Sequence, residues 1–446
     1  MSEEKPHFVA VIGAGPAGLF GARELALQGN RVVLINRDIK PGGLAEYGIY
    51  FEKYSMKEGL RKQFSHVLSN AGITYYGNIT VGSEGDLTLD ELRGLGFQAI
   101  LVTAGAQGTK WLGLPGEELR GVYHAKDVVY YYNKLPPYSQ WQFHFGKRCA
   151  IIGAGNVMVD IARYLIREIK ALEVITVVRR GPAEVNFTKE EMKHIISNLD
   201  TDAFEAEMQR ITPALRAVEQ DPDAGRQKVV EALPKGDPKV GSTRLRFEFL
   251  SSPSRMLGQD GKVTQLEIED NTLVLKDGQI KARGTGQKRV LDVDTVIFAI
   301  GDKVDESFGL PIDASEFVKH PIPRYPFEGR SYEAFDPATA EPIPDIFMGG
   351  WSRSASSGLV GLARKDGISA ARVVQQYLET LPGTTPDLAA IAARMNALPK
   401  PVITIAELRK LEAVEQSEAE KRGLPEFKFA TNAEMLRAIG AATVPG

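Results

Sequence analysis

Phe8-Val9-Ala10-Val11-Ile12-Gly13-Ala14-Gly15-Pro16-Ala17-Gly18 decides the fold: an apolar run feeds a glycine turn and then a helix that begins at Pro16. The spacing is that of a strand–turn–helix cradle for a dinucleotide. Gly13 permits the tight turn, Gly15 lets a pyrophosphate approach bare backbone, and Gly18 lets helix and strand pack closely. The helix, expected to run to about Gln28, then points free N–H groups at the phosphates. The next strand, Arg31–Ile35, ends at Asn36. Such folds usually place an acid there to hold a ribose; the Asn36 amide either takes that role or simply opens a loop.

A second cradle follows. Arg148-Cys149-Ala150-Ile151-Ile152-Gly153-Ala154-Gly155-Asn156-Val157 repeats the pattern, with Met158 at the third small position. Its partner strand, Val174–Val178, runs into Arg179-Arg180. Two guanidinium groups stand where an NAD-selective fold places a carboxylate. A planar donor fork matches a phosphate, so this pattern points to the 2′-phosphate of NADP(H). Two turns in one chain imply two nucleotides. The fold expected is α/β, with two Rossmann-like dinucleotide-binding domains. The second, residues 107–304, is inserted into a discontinuous first domain made of 1–106 and 305–446.

Bulk properties narrow the rest. The 446 residues carry 54 basic and 57 acidic side chains, a net charge of −3, and one cysteine. That balance argues against nucleic acid as a partner. No apolar run reaches membrane-spanning length, and the acidic opening Met1-Ser2-Glu3-Glu4 resembles no export or transit signal. A cytoplasmic location is expected. A lone cysteine excludes an intramolecular disulfide and a cysteine-bound iron–sulfur cluster, so redox chemistry must sit on a bound organic cofactor. Cys149 reads as a buried small hydrophobe, and no metal site is expected.

Further glycines mark places where backbone can meet a flat ligand. They lie in Gly42-Gly43-Leu44, in Ala104-Gly105 after the strand Ala99–Val102, in Gly349-Gly350-Trp351, and at Gly358, Gly361 and Gly367 of a helix expected over 357–381. Helical glycines are costly, so something must approach that helix closely. Residues 189–235 read as charged helix, 245–250 and 263–268 as strands, 321–344 as a Pro-rich connector, and Leu408, Leu411 and Val414 as a packing face.

The chain resembles adrenodoxin reductase and the NADPH–ferredoxin reductases built like it, within the wider glutathione-reductase-like flavoproteins. The resemblance rests on GAGPAG at 13–18, LGLPGEELRGV at 112–122, GAGNVMVD at 153–160, VRRGPAEVNFTKEEM at 178–192 and SSGLV at 356–360. It implies FAD at the first turn, NADPH at the second, and electrons passing from NADPH through FAD to a ferredoxin-like iron–sulfur protein. By the same resemblance, FAD contacts fall on Ala17, Asn36, Leu44, Val81, Trp351, Gly358, Leu359 and Val360. NADPH contacts fall on Ala154, Gly155, Asn156, Val157, Arg179, Arg180, Glu191 and Gly358. Glu191 and Asp160 are candidates to orient the nicotinamide or relay protons, and each also reads as a solvated helix residue. Lys53 stands where the family carries a histidine near the flavin. Lys189, Lys193, Arg163 and Arg167 are candidates for a basic docking face. The loop GGLAEYGI also resembles the small subunit of glutamate synthase, which leaves open an electron-input subunit feeding clusters on a partner. A flavin-bound regulatory protein without turnover is a second alternative, and a monooxygenase a third.

Overall fold

The computed structural model describes residues 5–355 and 358–441. The chain divides into two compact units: residues 1–109, 130–140 and 301–446 form one, and 110–129 with 141–300 the other. Residues 107–109, 130–140 and 301–304, expected in the inserted domain, belong to the first unit. Tyr130 and Leu135 share a small core with Tyr47, and the Tyr130 hydroxyl bonds Gln107 at 3.3 Å.

The first unit is built on a six-stranded sheet in the order Glu333–Asp336, Glu341–Met348, Ala99–Val102, Phe8–Ile12, Arg31–Ile35, Ile73–Tyr76. Every pairing is parallel except the outermost, between Glu333–Asp336 and Glu341–Met348. The central strands are apolar on both faces, as a sheet covered on both sides requires. Val9, Val11, Leu34, Leu101 and Phe347 face the helices Pro16–Leu27 and Val360–Leu378. Ala10, Ile12, Val33, Ile100 and Val102 point the other way, toward Leu92, Ile391 and Met395. Residues 321–344, read from their prolines as a connector, contain the edge hairpin. Only Ile346–Met348 pair with the sheet interior, so Pro342 and Pro344 fall in the overhang, where no ladder donor is needed.

The glycines at the start of the Val360–Leu378 helix have a mixed explanation. At Gly367 a Cβ would lie 2.1 Å from the Ala17 carbonyl oxygen, so the close neighbour there is the Pro16–Leu27 helix and not a ligand. A Cβ at Gly361 would meet nothing. The tail helix Ile405–Arg422 buries Leu408 and Leu411 in the same core, as its spacing predicts. Ser356 and Ser357, part of the SSGLV string, lie outside the described residues.

The second unit has a five-stranded parallel sheet in the order Val122–His124, Thr295–Phe298, Arg148–Ile152, Glu173–Val177, Arg244–Glu248. A three-stranded antiparallel sheet, Ser251–Gln259, Lys262–Lys276 and Gln279–Asp292, covers one face through Met256, Leu266 and Ile268. Two of those strands escaped the sequence reading, and the third is longer than expected. Gln279–Asp292 has no buried residue and is exposed along most of its length, so it carries no apolar signal. The expected charged helix over 189–235 is broken into the α-helices Lys189–Met192, Thr201–Arg216 and Pro222–Val230, with 3-10 turns at Ile196–Asn198 and Leu233–Lys235.

Candidate nucleotide-binding sites

The first glycine turn is held from every side. Gly13 has φ +101° and donates its N–H to the Ile35 carbonyl at 2.7 Å; a Cβ on it would lie 2.5 Å from the Thr103 carbonyl oxygen. Gly18 is tighter still, with a Cβ position 1.8 Å from the Gly13 carbonyl oxygen. The Thr103 hydroxyl reaches the Ile12 and Gly13 carbonyls, both at 2.9 Å. Gly15 differs, since a Cβ there would meet nothing within 4 Å. The Pro16–Leu27 helix has no side-chain cap, and Pro16 occupies its first turn, where a missing N–H costs nothing. The turn thus offers an uncapped helix N-terminus behind an open backbone, which suits a pyrophosphate.

Asn36 is buried and busy. Its Oδ1 accepts the Ala14 N–H at 3.0 Å, while its Nδ2 donates to the carbonyls of Asp38 and Lys40 at 2.8 and 3.0 Å. It ties the turn to the following loop, in which Gly42 donates to the Ala14 carbonyl at 2.7 Å. Gly43 brings its Cβ position to 3.3 Å from Gly15 Cα, and Leu44 follows it half-buried. Val81 packs its side chain into the core, leaving only its backbone for a ligand.

Ala104 and Gly105 end the central strand. The Gly105 N–H donates to the hydroxyl of buried Ser352 at 2.9 Å, a partner that sequence reading missed. It also missed Asp366, which accepts the Gly350 N–H at 2.7 Å and is itself held by Arg353 at 2.7 Å and by the Tyr332 hydroxyl at 3.2 Å. Trp351 is half-buried after that turn. Gly358 has φ +78°, Leu359 is exposed, and Val360 opens a helix without a side-chain cap. Lys53 sits half-exposed at the N-cap of Tyr54–Leu68. The fully buried lysine of that region is Lys57, whose ammonium burial pushes down to about 8.

The second turn is finished differently. Gly153, at φ +129°, donates to the Val177 carbonyl at 3.0 Å, and a Cβ there would lie 2.3 Å from the Ala299 carbonyl oxygen. Gly155 again faces open space and caps a helix, Asn156–Tyr164, without a side-chain bond. Met158 is fully buried with the Thr176 hydroxyl 3.6 Å from its sulfur, so the third position is filled by packing instead of a close approach. Ala154 accepts the Asn186 N–H at 2.8 Å and Asn156 Oδ1 accepts the Thr188 N–H at 2.8 Å. The segment after the arginine pair thereby folds back onto the turn, and Val157 stands exposed beside it.

The backbone of the arginine pair is clamped from behind: Asn271 Nδ2 donates to the Arg179 carbonyl at 3.0 Å and the Leu250 N–H to the Arg180 carbonyl at 3.2 Å. Among the described residues neither guanidinium makes a hydrogen bond or ion pair. In the same unit Arg210, Arg246 and Arg289 each have a carboxylate partner. Two cations left unsatisfied at a strand end, beside an uncapped helix N-terminus, suit a phosphate-bearing ligand.

Glu191 lies half-buried on Lys189–Met192, its N–H accepted by the Thr188 hydroxyl at 3.3 Å. Asp160 lies one turn beyond Asn156, and the helices that carry the two acids pack together. The basic docking face is not built as expected. Arg163 is buried, Arg167 pairs with Asp237 and Lys193 with Glu190, which leaves Lys189 as the exposed member without a carboxylate partner among the described residues. Cys149 is buried, and burial pushes its thiol up to about 12.

Residues 7–208 match the family model for pyridine nucleotide-disulphide oxidoreductase. The chain is 27% identical to the NADPH-ferredoxin reductase FprA of Mycobacterium tuberculosis, over 97% of this chain and 99% of that one. It is 29% identical to the mitochondrial NADPH:adrenodoxin oxidoreductase of Arabidopsis thaliana, over 80% of each. The solved structure of M. tuberculosis FprA in complex with NADPH superposes with a TM-score of 0.82 at 26% identity, covering 98% of this chain and all of that one. Twin glycine turns, the second unit and similarity along nearly the whole length agree: the chain is similar to the NADPH-ferredoxin and NADPH:adrenodoxin reductases over almost all of its residues, and its residues 7–208 match the pyridine nucleotide-disulphide oxidoreductase model.

Proposed function

We propose that this protein is an FAD-dependent oxidoreductase that takes electrons from NADPH and delivers them to a ferredoxin-like iron–sulfur acceptor. The observation that carries the NADPH half is the Arg179–Arg180 pair, without a partner among the described residues, beside the open turn at Gly155. The acceptor half is supported by likeness to NADPH-ferredoxin and NADPH:adrenodoxin reductases along the chain.

In this reading the first unit holds FAD. Gly13, Gly15, Pro16, Ala17 and Gly18 cradle the pyrophosphate, and Asn36, Gly43, Leu44, Val81, Ala104, Gly105, Gly350, Trp351, Gly358, Leu359 and Val360 supply the remaining wall. Bound FAD would supply the conversion of a two-electron donor into single electrons, for which a chain with one buried cysteine has no group of its own. The second unit binds NADPH. Gly153, Ala154, Gly155, Asn156 and Val157 receive the pyrophosphate, Arg179 and Arg180 grip the 2′-phosphate, and Glu191 and Asp160 orient the nicotinamide end. The uncapped Val360–Leu378 helix, through its N-terminal N–H groups, favours negative charge near it. A cytoplasmic location is part of the same proposal; among the described residues no helix is long and apolar enough to cross a membrane.

The test is a steady-state comparison of NADPH and NADH with cytochrome c reduction read through added ferredoxin. NADPH-driven, ferredoxin-dependent turnover is expected. Purified protein that takes up no FAD on reconstitution, or that reduces ferredoxin equally well from NADH, would overturn the corresponding half.

A further inference from the structure

The Gly42–Gly48 loop carries a buried acid, Glu46, 3% exposed. Its carboxylate accepts both Nε and Nη2 of Arg61, at 2.7 and 2.6 Å, and lies 2.8 Å from Lys428 Nζ and 3.8 Å from Lys40 Nζ. Burial alone would raise this carboxyl; Lys428, Lys40 and Arg61 outweigh it and hold the group far below the usual carboxylate range. Lys428 comes from the irregular stretch between the helices Ile405–Arg422 and Asn432–Ala438, 382 residues further along the chain. It is 5% exposed, donates at 2.9 Å to the main-chain carbonyl of Glu46, and lies 4.9 Å above the Tyr47 ring.

Other charges close the cluster. Glu415 pairs with Lys40, and Glu426 pairs with Arg61 and stands 3.6 Å from Lys57. Lys57 in turn donates to Asn133 at 3.1 Å. Three C-terminal residues therefore complete an ion network whose other members lie within Lys40–Arg61. An exposed ion pair contributes little, but a buried, multiply bonded one fixes a unique arrangement, because leaving a charge uncompensated is costly. The loop it fixes contacts the first glycine turn directly, through Gly42 N–H to the Ala14 carbonyl and Gly43 against Gly15.

We propose that Lys428 is a positioning residue for the flavin site: by gripping both the carboxylate and the main chain of Glu46, the C-terminal segment sets the Gly42–Gly48 loop against the glycine turn, so FAD affinity depends on it. This inference rests on the assignment of FAD to the first unit. Lys428 touches no ligand in this role and acts through the loop.

Apoprotein is titrated with FAD by flavin fluorescence. Lys428→Met is expected to raise the Kd at least tenfold and to shrink the thermal shift that FAD confers, with Lys428→Arg restoring most of both. A Lys428→Met protein whose apo form melts lower but whose FAD affinity equals wild type would overturn the proposal, showing a structural cluster only. Hydrogen exchange on the wild-type chain gives a readout that survives misfolding of any variant. Adding FAD is expected to slow exchange in residues 424–431 together with 42–48, and protection confined to 42–48 overturns the coupling. If wild-type apoprotein binds no FAD at all, the cofactor assignment falls first and this inference with it.

Discussion

The two glycine turns share a motif and differ in how they are finished. At the first, Gly18 leaves no space for a methyl group, Asn36 stitches turn to loop, and a buried ion network locks that loop from the far end of the chain. At the second, Met158 replaces the close approach, and two arginines, one exposed and one half-buried, make no hydrogen bond or ion pair among the described residues. One site has spent its polar groups on itself and the other has kept its charges for a visitor. The contrast fits a resident cofactor in the first and an exchanging one in the second.

The strongest way to break that contrast is a single methyl group. Gly18→Ala drives a Cβ into the Gly13 carbonyl and is expected to cost about 3 kcal/mol or more of stability. Gly155→Ala, facing open space, should change the urea midpoint little while raising the KM for NADPH. Equal midpoints for the two variants would show that the approach at Gly18 is not a close one.

Next comes charge in the open site. Arg179→Ala combined with Arg180→Ala is expected to weaken NADPH by about 1.5–3 kcal/mol per lost charge-assisted bond, with little change for NADH. Parallel loss for both coenzymes would remove the 2′-phosphate from this account.

The closed site should betray itself by pH. Desolvation lowers Lys57 from 10.5 to about 8, against the opposing pull of Glu426 and Glu46 and with Lys428 and Arg61 adding to the lowering. The folded chain then binds fewer protons than the unfolded one between those values, so stability rises with pH across that window. The unfolding free energy of wild type relative to Lys57→Met is expected to climb from pH 8 to 10.5, by on the order of 3 kcal/mol. A flat difference would mean that Lys57 is not effectively buried.

The smallest effect sharpens the comparison at Asn36. An acid at this position would be expected to improve ribose binding by the ordinary rule. Here Asn36→Asp sets a carboxylate against the carbonyls of Asp38 and Lys40 and is expected to destabilise apoprotein by about 1–2 kcal/mol. A midpoint at or above wild type would restore Asn36 as a group free for the ligand.

What could be read from the sequence was what is local. The glycine turns, their strands and the arginine pair are set by neighbours a few residues apart, and they stand where the spacing placed them. Ser352, Asp366, Asn271 and Lys428 were illegible because each serves a turn made by a remote part of the chain. Gln279–Asp292 was invisible for a different reason, since a strand exposed along most of its length carries no burial pattern. Arg163 shows the converse error: charge alone suggested a surface residue, and the helix face it occupies is buried.

The order of strands in the first sheet has a consequence for synthesis. Ala99–Val102 pairs with Glu341–Met348, so the amino-terminal half of that sheet leaves the ribosome with a bare, apolar edge and waits for a partner about 240 residues later. The inserted unit has all its strands once residue 300 has emerged. The portion made first is thus completed last, and a nascent chain stalled before residue 341 would present a sticky, half-finished sheet to the chaperones.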